Sequence, residues 1–215
     1  MNSVTAGHFI VLEGIDGAGT TTHTGKLGSA LKAHGIAVHK THEPSGGPIG
    51  VLLRQILTKR VVGPGGAPSW DTMGLLFAAD RLDHLRNEVM PRLEEGVTVL
   101  SDRYDHSTVA YQTVASRGAA GALDWLKDLN RFARRPDLTI VLDVPPTVAK
   151  ERRRARAGDQ DLYEDDAMQR ELAGFYREID QHFPGEKIVH VAADRALDDV
   201  AEDVVKHVLA LREGA

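Results

Sequence analysis

Phe9-Ile10-Val11-Leu12-Glu13-Gly14-Ile15-Asp16-Gly17-Ala18-Gly19-Thr20-Thr21-Thr22 passes from an apolar run through a glycine-rich turn into hydroxyl residues, and the helical period of Thr21 to His34 follows. A strand that turns sharply into a helix is the context in which G-x-x-x-x-G followed by Ser or Thr cradles phosphate. Its glycines let successive N–H groups turn inward around an anion, and the helix start adds partial positive charge. Gly14 to Thr22 are therefore the candidate nucleotide-phosphate residues, with Thr21 in the place of the hydroxyl that reaches Mg²⁺. Thr20 stands where the motif has its lysine. Taken alone, the stretch also reads as a tight strand-to-helix connection.

Outward from this segment, short apolar runs alternate with longer helical stretches. Phe9–Leu12, Ile36–Val38, Val97–Leu100, Leu138–Leu142 and Ile188–Val191 predict five strands. Thr21–His34, Trp70–Leu93, Asp105–Phe132, Thr147–Arg156 and Leu162–Phe183 predict helices between them. Such alternation implies an α/β fold, a parallel sheet with helices on both faces. Ligands then sit at the carboxyl ends of the strands. The connections at 63–68 and 117–121 do not separate two cores, so 1–215 reads as a single domain.

The 215 residues carry no cysteine and a net charge of −5. Thiolate chemistry and a disulfide scaffold are thereby excluded. An acidic balance argues against a general nucleic-acid binder, which draws its affinity from excess basic residues. No apolar run approaches the ~20 residues that span a bilayer, and no targeting segment is visible, so a cytoplasmic enzyme without a membrane partner is expected. The basic residues are 18 Arg and eight Lys, a bias that suits bidentate phosphate recognition and equally a G+C-rich genome. Ten scattered histidines, with His39 and His42 the closest pair, show no transition-metal pattern.

Several later positions fit phosphate and base chemistry. Asp102 ends a predicted strand, where a carboxylate can hold Mg²⁺ through water, and Arg103 beside it can fork onto a phosphate. The same dipeptide also reads as a helix-capping ion pair. Phe77 and Arg81 lie four apart on one helix face, where an aromatic plate and a planar donor can read a base, although a core Phe with a surface Arg fits too. Tyr111 and Gln112 can close over a sugar or base, or simply pack. Arg152, Arg153, Arg154 and Arg156 form a cluster that, by itself, also reads as a solvated helix end.

In order along the chain, these pieces resemble the thymidylate kinases. Phe9–Thr22 resembles that family's first strand and P-loop. Glu43-Pro44-Ser45-Gly46-Gly47-Pro48-Ile49-Gly50 followed by Arg54 is similar to its acceptor-phosphate loop. Leu76-Phe77-Ala78-Ala79-Asp80-Arg81 resembles its thymine-reading segment. Ser101-Asp102-Arg103-Tyr104 with Ser107 and Ala110-Tyr111-Gln112 is the most specific match, Pro136–Pro146 resembles the fourth strand, and 152–164 the lid.

The resemblance implies a P-loop NTPase three-layer fold, transfer of the ATP γ-phosphoryl group to dTMP with Mg²⁺ as cofactor, and a homodimer. It implies that Arg152 joins Gly14–Thr22 at ATP; that Thr21 and Asp102 hold the metal; and that Asp16, Arg103, Arg153, Arg154 and Arg156 serve catalysis. Glu43, Pro44, Arg54, Phe77, Arg81, Arg103, Ser107, Thr108, Tyr111 and Gln112 would bind dTMP.

Thr20, His42 and Leu162 depart from the family pattern, and each removes a positive charge. One charge about 4 Å from a phosphate is worth about 4 kcal/mol at an effective dielectric near 20. Losing the lysine would cost on the order of a thousandfold in rate unless Arg153, Arg154 or Arg156 compensates. Lys26 lies about 9 Å along the helix from Thr20, too far to help. A dTMP kinase, a non-catalytic nucleotide-binding relative and a kinase for another nucleotide all remain open at this point.

Overall fold

Every residue of β1 (Phe9–Glu13) is buried, which places this strand at the middle of a sheet. The computed structural model describes residues 7–155, 162, 163 and 165–213. Four further strands, β2 (Val38–His42), β3 (Thr98–Asp102), β4 (Leu138–Asp143) and β5 (Ile188–Ala192), pair in parallel in the order β2-β3-β1-β4-β5. Side chains alternate along β1. Phe9 and Val11 join Leu85, Val89, Leu93, Val99 and Tyr104, whereas Ile10 and Leu12 join the larger cluster that includes Leu27, Leu31, Val200, Val204 and Val208. A parallel sheet must be covered on both faces, and helices packed on both sides of it do this: the expected three-layer P-loop architecture.

The helices among the described residues are α1 (Thr20–Ala33), α2 (Pro48–Leu57), α3 (Trp70–His84), α4 (Met90–Glu94), α5 (Asp105–Ala115), α6 (Ala122–Leu129), α7 (Pro146–Ala155), α8 (Asp166–Arg177), α9 (Ile179–His182) and α10 (Leu197–Glu213). A π-helical turn, Leu85–Val89, joins α3 to α4. Pro91 has no N–H to offer the carbonyl four residues back, so the regular ladder is broken there.

The second strand lies further along the chain than the apolar run Ile36–Val38 suggests. β2 is an edge strand whose residues Val38, His39, Lys40, Thr41 and His42 are half-buried or exposed, so its pairing with β3 leaves no apolar signature. The stretch Asp105–Phe132 divides into α5 and α6 at Gly121, which adopts φ 74°. Sequence periodicity did not single out α2 or α10.

Candidate functional site

At the end of β1 the chain turns through Gly14–Gly19 and enters α1. Gly17 has φ 93°, and a Cβ there would lie 2.4 Å from the Ala149 carbonyl oxygen, so only glycine lets the loop rest on α7. Gly19 (φ 99°) precedes Thr20 without a side-chain cap, leaving the first N–H groups of α1 unclaimed by any described side chain. Thr20 is buried, and Thr21 and Thr22 are exposed. The Thr21 hydroxyl donates to Asp102 Oδ2 at 2.5 Å; the other oxygen, Oδ1, is buried without a partner among the described residues. Lys26 is committed to Asp198 at 2.7 Å.

The arginines of α7 approach the loop from behind. Arg153 Nη1 donates to the Asp16 carbonyl at 2.7 Å and Nη2 reaches Asp166 at 3.2 Å. Arg152 donates to Ala193 O at 2.9 Å and touches Ala18 O at 3.4 Å. Arg154 is exposed on the last turn of α7. Arg156 and the lid positions 156–161 and 164 lie outside the described residues.

Beside the loop is a cavity of about 160 Å³ lined by Asp16, Glu43, Pro44, Leu57, Phe77, Arg81, Arg103, Tyr104, Ser107, Thr108, Tyr111, Gln112 and Tyr163. Nine of the ten acceptor candidates from the sequence thus converge there. Arg54 does not line it; its guanidinium donates to the carbonyls of Pro44 (2.8 Å) and Ser45 (3.3 Å) on the neighbouring loop.

Arg81 is almost completely buried, at 1% exposed. It donates to Asn130 Oδ1 (2.5 Å), Glu43 Oε2 (2.7 Å) and Thr108 Oγ1 (2.8 Å), with its carbon 5.0 Å from the Tyr104 ring centroid. Burial disfavours its charge, but Glu43 and Asp105 outweigh that and raise its affinity for the proton. Among the described residues its Nε has no partner, and neither does the buried Tyr111 hydroxyl. Buried donors without partners are costly, at about 1–3 kcal/mol each, unless a ligand satisfies them.

Arg103 sits at φ 70°, a conformation costly for a residue with a Cβ, and its guanidinium holds Gly14 O (2.9 Å), Ser107 Oγ (3.1 Å) and Asp16 Oδ1 (2.6 Å). Its ion-pair partner is therefore Asp16 of the P-loop and not the adjacent Asp102. It also lies 5.4 Å from the Tyr111 ring centroid. Gln112 donates to the Tyr163 hydroxyl at 3.1 Å, and Tyr163 meets Tyr111 edge-on at 5.5 Å. The Leu162 N–H donates to Leu57 O at 3.0 Å, tying this segment to α2.

The profile of the family described as thymidylate kinase matches residues 12–204. The chain is 37% identical over 199 residues to the probable thymidylate kinase of Pyrococcus abyssi, covering 93% of this chain and 94% of that one. It is 38% identical over 208 residues to that of Thermococcus kodakarensis (95% and 97%), and 35% over 211 residues to the thymidylate kinase of Magnetococcus marinus (94% and 95%). The chain belongs to the thymidylate kinase family.

In this thymidylate kinase family member Gln169, Asn130 and His84 escaped the sequence reading. Gln169 on α8 is buried and holds Asp16 at both its N–H (3.0 Å) and its carboxylate (2.7 Å). Asn130 and His84 buttress Arg81 and Glu43. Glu13 accepts from the Tyr104 and Ser107 N–H groups and from the Ser107 and Tyr176 hydroxyls; burial raises its carboxyl above the ordinary value, and His106 and Arg103 offset this only in part. Gln169, Asn130 and His84 come from helices distant in sequence or sit one turn beyond the motif, so only their polarity at otherwise core-facing positions could have marked them.

Proposed function

We propose that the protein is a thymidylate kinase, transferring the γ-phosphoryl group of ATP to dTMP to give dTDP and ADP in dTTP biosynthesis. The observation that carries this reading is the cavity beside the P-loop, where Phe77 and the donors Arg81 Nε and Tyr111 Oη, without partners among the described residues, are set against Arg103. It is a site with an aromatic wall, donors for oxo and hydroxyl groups, and a cation for a phosphate. Nothing in the fold or the relatives favours a purely regulatory role.

The acceptor oxygen belongs to a phosphate that is already ionised at neutral pH, so no general base is required. Alignment and charge neutralisation remain. Thr21 and Asp102 suit Mg²⁺: a hydroxyl beside a carboxylate whose second oxygen is unpartnered is a hard-oxygen pair, completed by water and phosphate oxygens. Bound there, Mg²⁺ would neutralise negative charge on the donor phosphates. The N–H groups of Gly14–Thr22 would cradle those phosphates, with Arg152 beside Ala193 at the adenosine end. Arg103 would hold the acceptor phosphate, held in turn by Asp16.

Arg153 is the described lid arginine that best replaces the charge Thr20 lacks, because its guanidinium makes the shorter contact with the P-loop backbone, 2.7 Å to the Asp16 carbonyl against 3.4 Å from Arg152 to Ala18 O. Tyr163 lines the cavity, next to Leu162, which ties the segment to α2, and would exclude water from the transfer. Arg54, beside the Pro44 and Ser45 carbonyls, would need to turn from them to reach the acceptor. We read residues 1–215 as one cytoplasmic kinase domain acting as a homodimer; the exposed apolar side chains Val51, Leu52 and Leu75 on α2 and α3 support a partner surface, which sedimentation would test. No described helix is long and apolar enough to cross a membrane.

A coupled assay with ATP, Mg²⁺ and dTMP tests the assignment directly. ADP formation that requires dTMP is expected, and a rate no higher than a protein-free control would remove it.

A further inference from the structure

Residues Phe77, Asp80, Arg81 and His84 occupy positions i, i+3, i+4 and i+7 of α3, the stripe by which a helix ordinarily presents apolar residues to the core. Here three of the four are ionisable, and Asp80, Arg81 and His84 are all at most 2% exposed. Each grips the loop that follows β2. Asp80 accepts from the Ser45 N–H at 2.8 Å and its hydroxyl at 2.6 Å, and Arg81 donates to Glu43 Oε2 at 2.7 Å. His84 Nδ1 lies 3.2 Å from the other Glu43 oxygen, Oε1.

The histidine is itself fixed from its far side. Nε2 is 2.7 Å from the Thr41 hydroxyl and 3.7 Å from Glu88 Oε2, while Glu88 Oε1 is 2.8 Å from His39 Nε2 at the half-exposed edge strand. A continuous chain His39–Glu88–His84–Glu43–Arg81 therefore runs from the sheet edge to the cavity. A carboxylate caught between two side chains cannot rotate. Without His84, Glu43 could swing and leave the Arg81 guanidinium to the neutral acceptors Asn130 and Thr108, since Glu43 is the one carboxylate that pairs with Arg81 among the described residues.

We propose that His84 is a specificity-determining positioning residue for the acceptor base: by pinning Glu43 it fixes the orientation in which Arg81 offers its spare N–H groups to the cavity. A fixed donor favours a base with an oxo group at the position facing it and opposes an amino group there, because two facing donors leave both unsatisfied. This rests on the reading of the cavity as the dTMP site. Phe77, one turn earlier on the same stripe, supplies affinity through its ring without distinguishing oxo from amino. His84 thus governs discrimination more than turnover.

The test measures binding of dTMP and of 5-methyl-dCMP, which differ in the oxo-for-amino exchange, by calorimetry, together with KM for ATP and kcat. His84→Ala should weaken dTMP about tenfold, equivalent to about 1.4 kcal/mol, and shrink the dTMP preference by a similar factor. KM for ATP should stay within twofold, and His84→Gln, whose amide can still donate to Glu43, should restore part of the preference. An unchanged preference, or equal losses for dTMP and ATP, would overturn the proposal. If His84→Ala does not fold, Glu88→Gln decides: a preference reduced about threefold supports the chain, and an unaltered one refutes it. Wild-type protein that binds dTMP selectively without forming ADP would remove the kinase assignment alone, whereas wild-type protein that binds neither nucleotide would remove both.

Discussion

Gln169 holds Asp16 by both ends of one amide: its Oε1 accepts the Asp16 N–H at 3.0 Å and its Nε2 donates to Asp16 Oδ2 at 2.7 Å. The same Nε2 reaches the Tyr163 carbonyl at 2.9 Å, and the remaining Asp16 oxygen holds Arg103 at 2.6 Å. A residue 153 positions away thus orients the P-loop carboxylate and, through it, the arginine at the acceptor cavity. Both oxygens of Asp16 are occupied by side-chain donors, so its part in catalysis runs through Arg103 in this arrangement.

Gln169→Ala should lower kcat/KM for dTMP ten- to a hundredfold, since hydrogen bonds to a charged group contribute about 1.5–3 kcal/mol. Gln169→Glu provides the sharper measurement. Its new carboxyl would face Asp16, lose the donor and repel, and activity should recover as pH falls and that carboxyl takes up a proton. A pH–rate profile parallel to the wild type would count against the link.

Arg153→Ala should reduce kcat on the order of a thousandfold, by analogy with arginines supplied to phosphoryl transfer from outside the P-loop. KM for dTMP should change much less. Thr20→Lys in the Arg153→Ala background should recover at least tenfold if the two positions supply the same charge; single-turnover kinetics would show whether the phosphoryl-transfer step itself is restored.

Asp102→Asn should raise the Mg²⁺ concentration for half-maximal activity at least tenfold and leave dTMP binding nearly unchanged. Chelation by EDTA should abolish turnover of the wild type. A Mg²⁺ titration that superimposes on the wild type would place the ion elsewhere.

His190 on β5 lies between Asp143, 2.8 Å from Nδ1, and Asp180, 3.1 Å from Nε2. The hydrogen bond to Asp143 outweighs partial burial, and Asp180 adds to it, so the imidazole is pushed up to about 9. Its folded pKa exceeds its unfolded one of about 6.5, so the stabilisation is complete below pH 6.5 and fades as pH rises through 9. Solvent screening at this partly exposed side chain limits the effect to about 1–2 kcal/mol. Tm should therefore fall between pH 6.5 and 9.5, and His190→Gln should flatten that slope.

The β1 run, the P-loop glycines and the Asp102-Arg103 pair were legible in the chain because each is local: a strand of buried residues, a backbone that needs positive φ, a strand end. That locality carried the fold class, while the nine cavity residues came from the order in which such local pieces resemble the thymidylate kinases. The polar edge strand β2 was harder to read, because pairing with β3 through backbone hydrogen bonds asks nothing of its side chains.

Other relationships have no local trace. That Arg103 pairs with Asp16 across 87 residues, that Gln169 clasps the P-loop from α8 and that His84 and Glu43 anchor a buried Arg81 all follow from how helices pack on the sheet. Arg81 shows the division most clearly. From its spacing it could have been a surface arginine beside a core phenylalanine, because periodicity shows which residues share a face and not whether that face meets solvent. Only the closure of α3 over the β2 loop and α5 buries its charge, and burial is what makes each of its partners necessary.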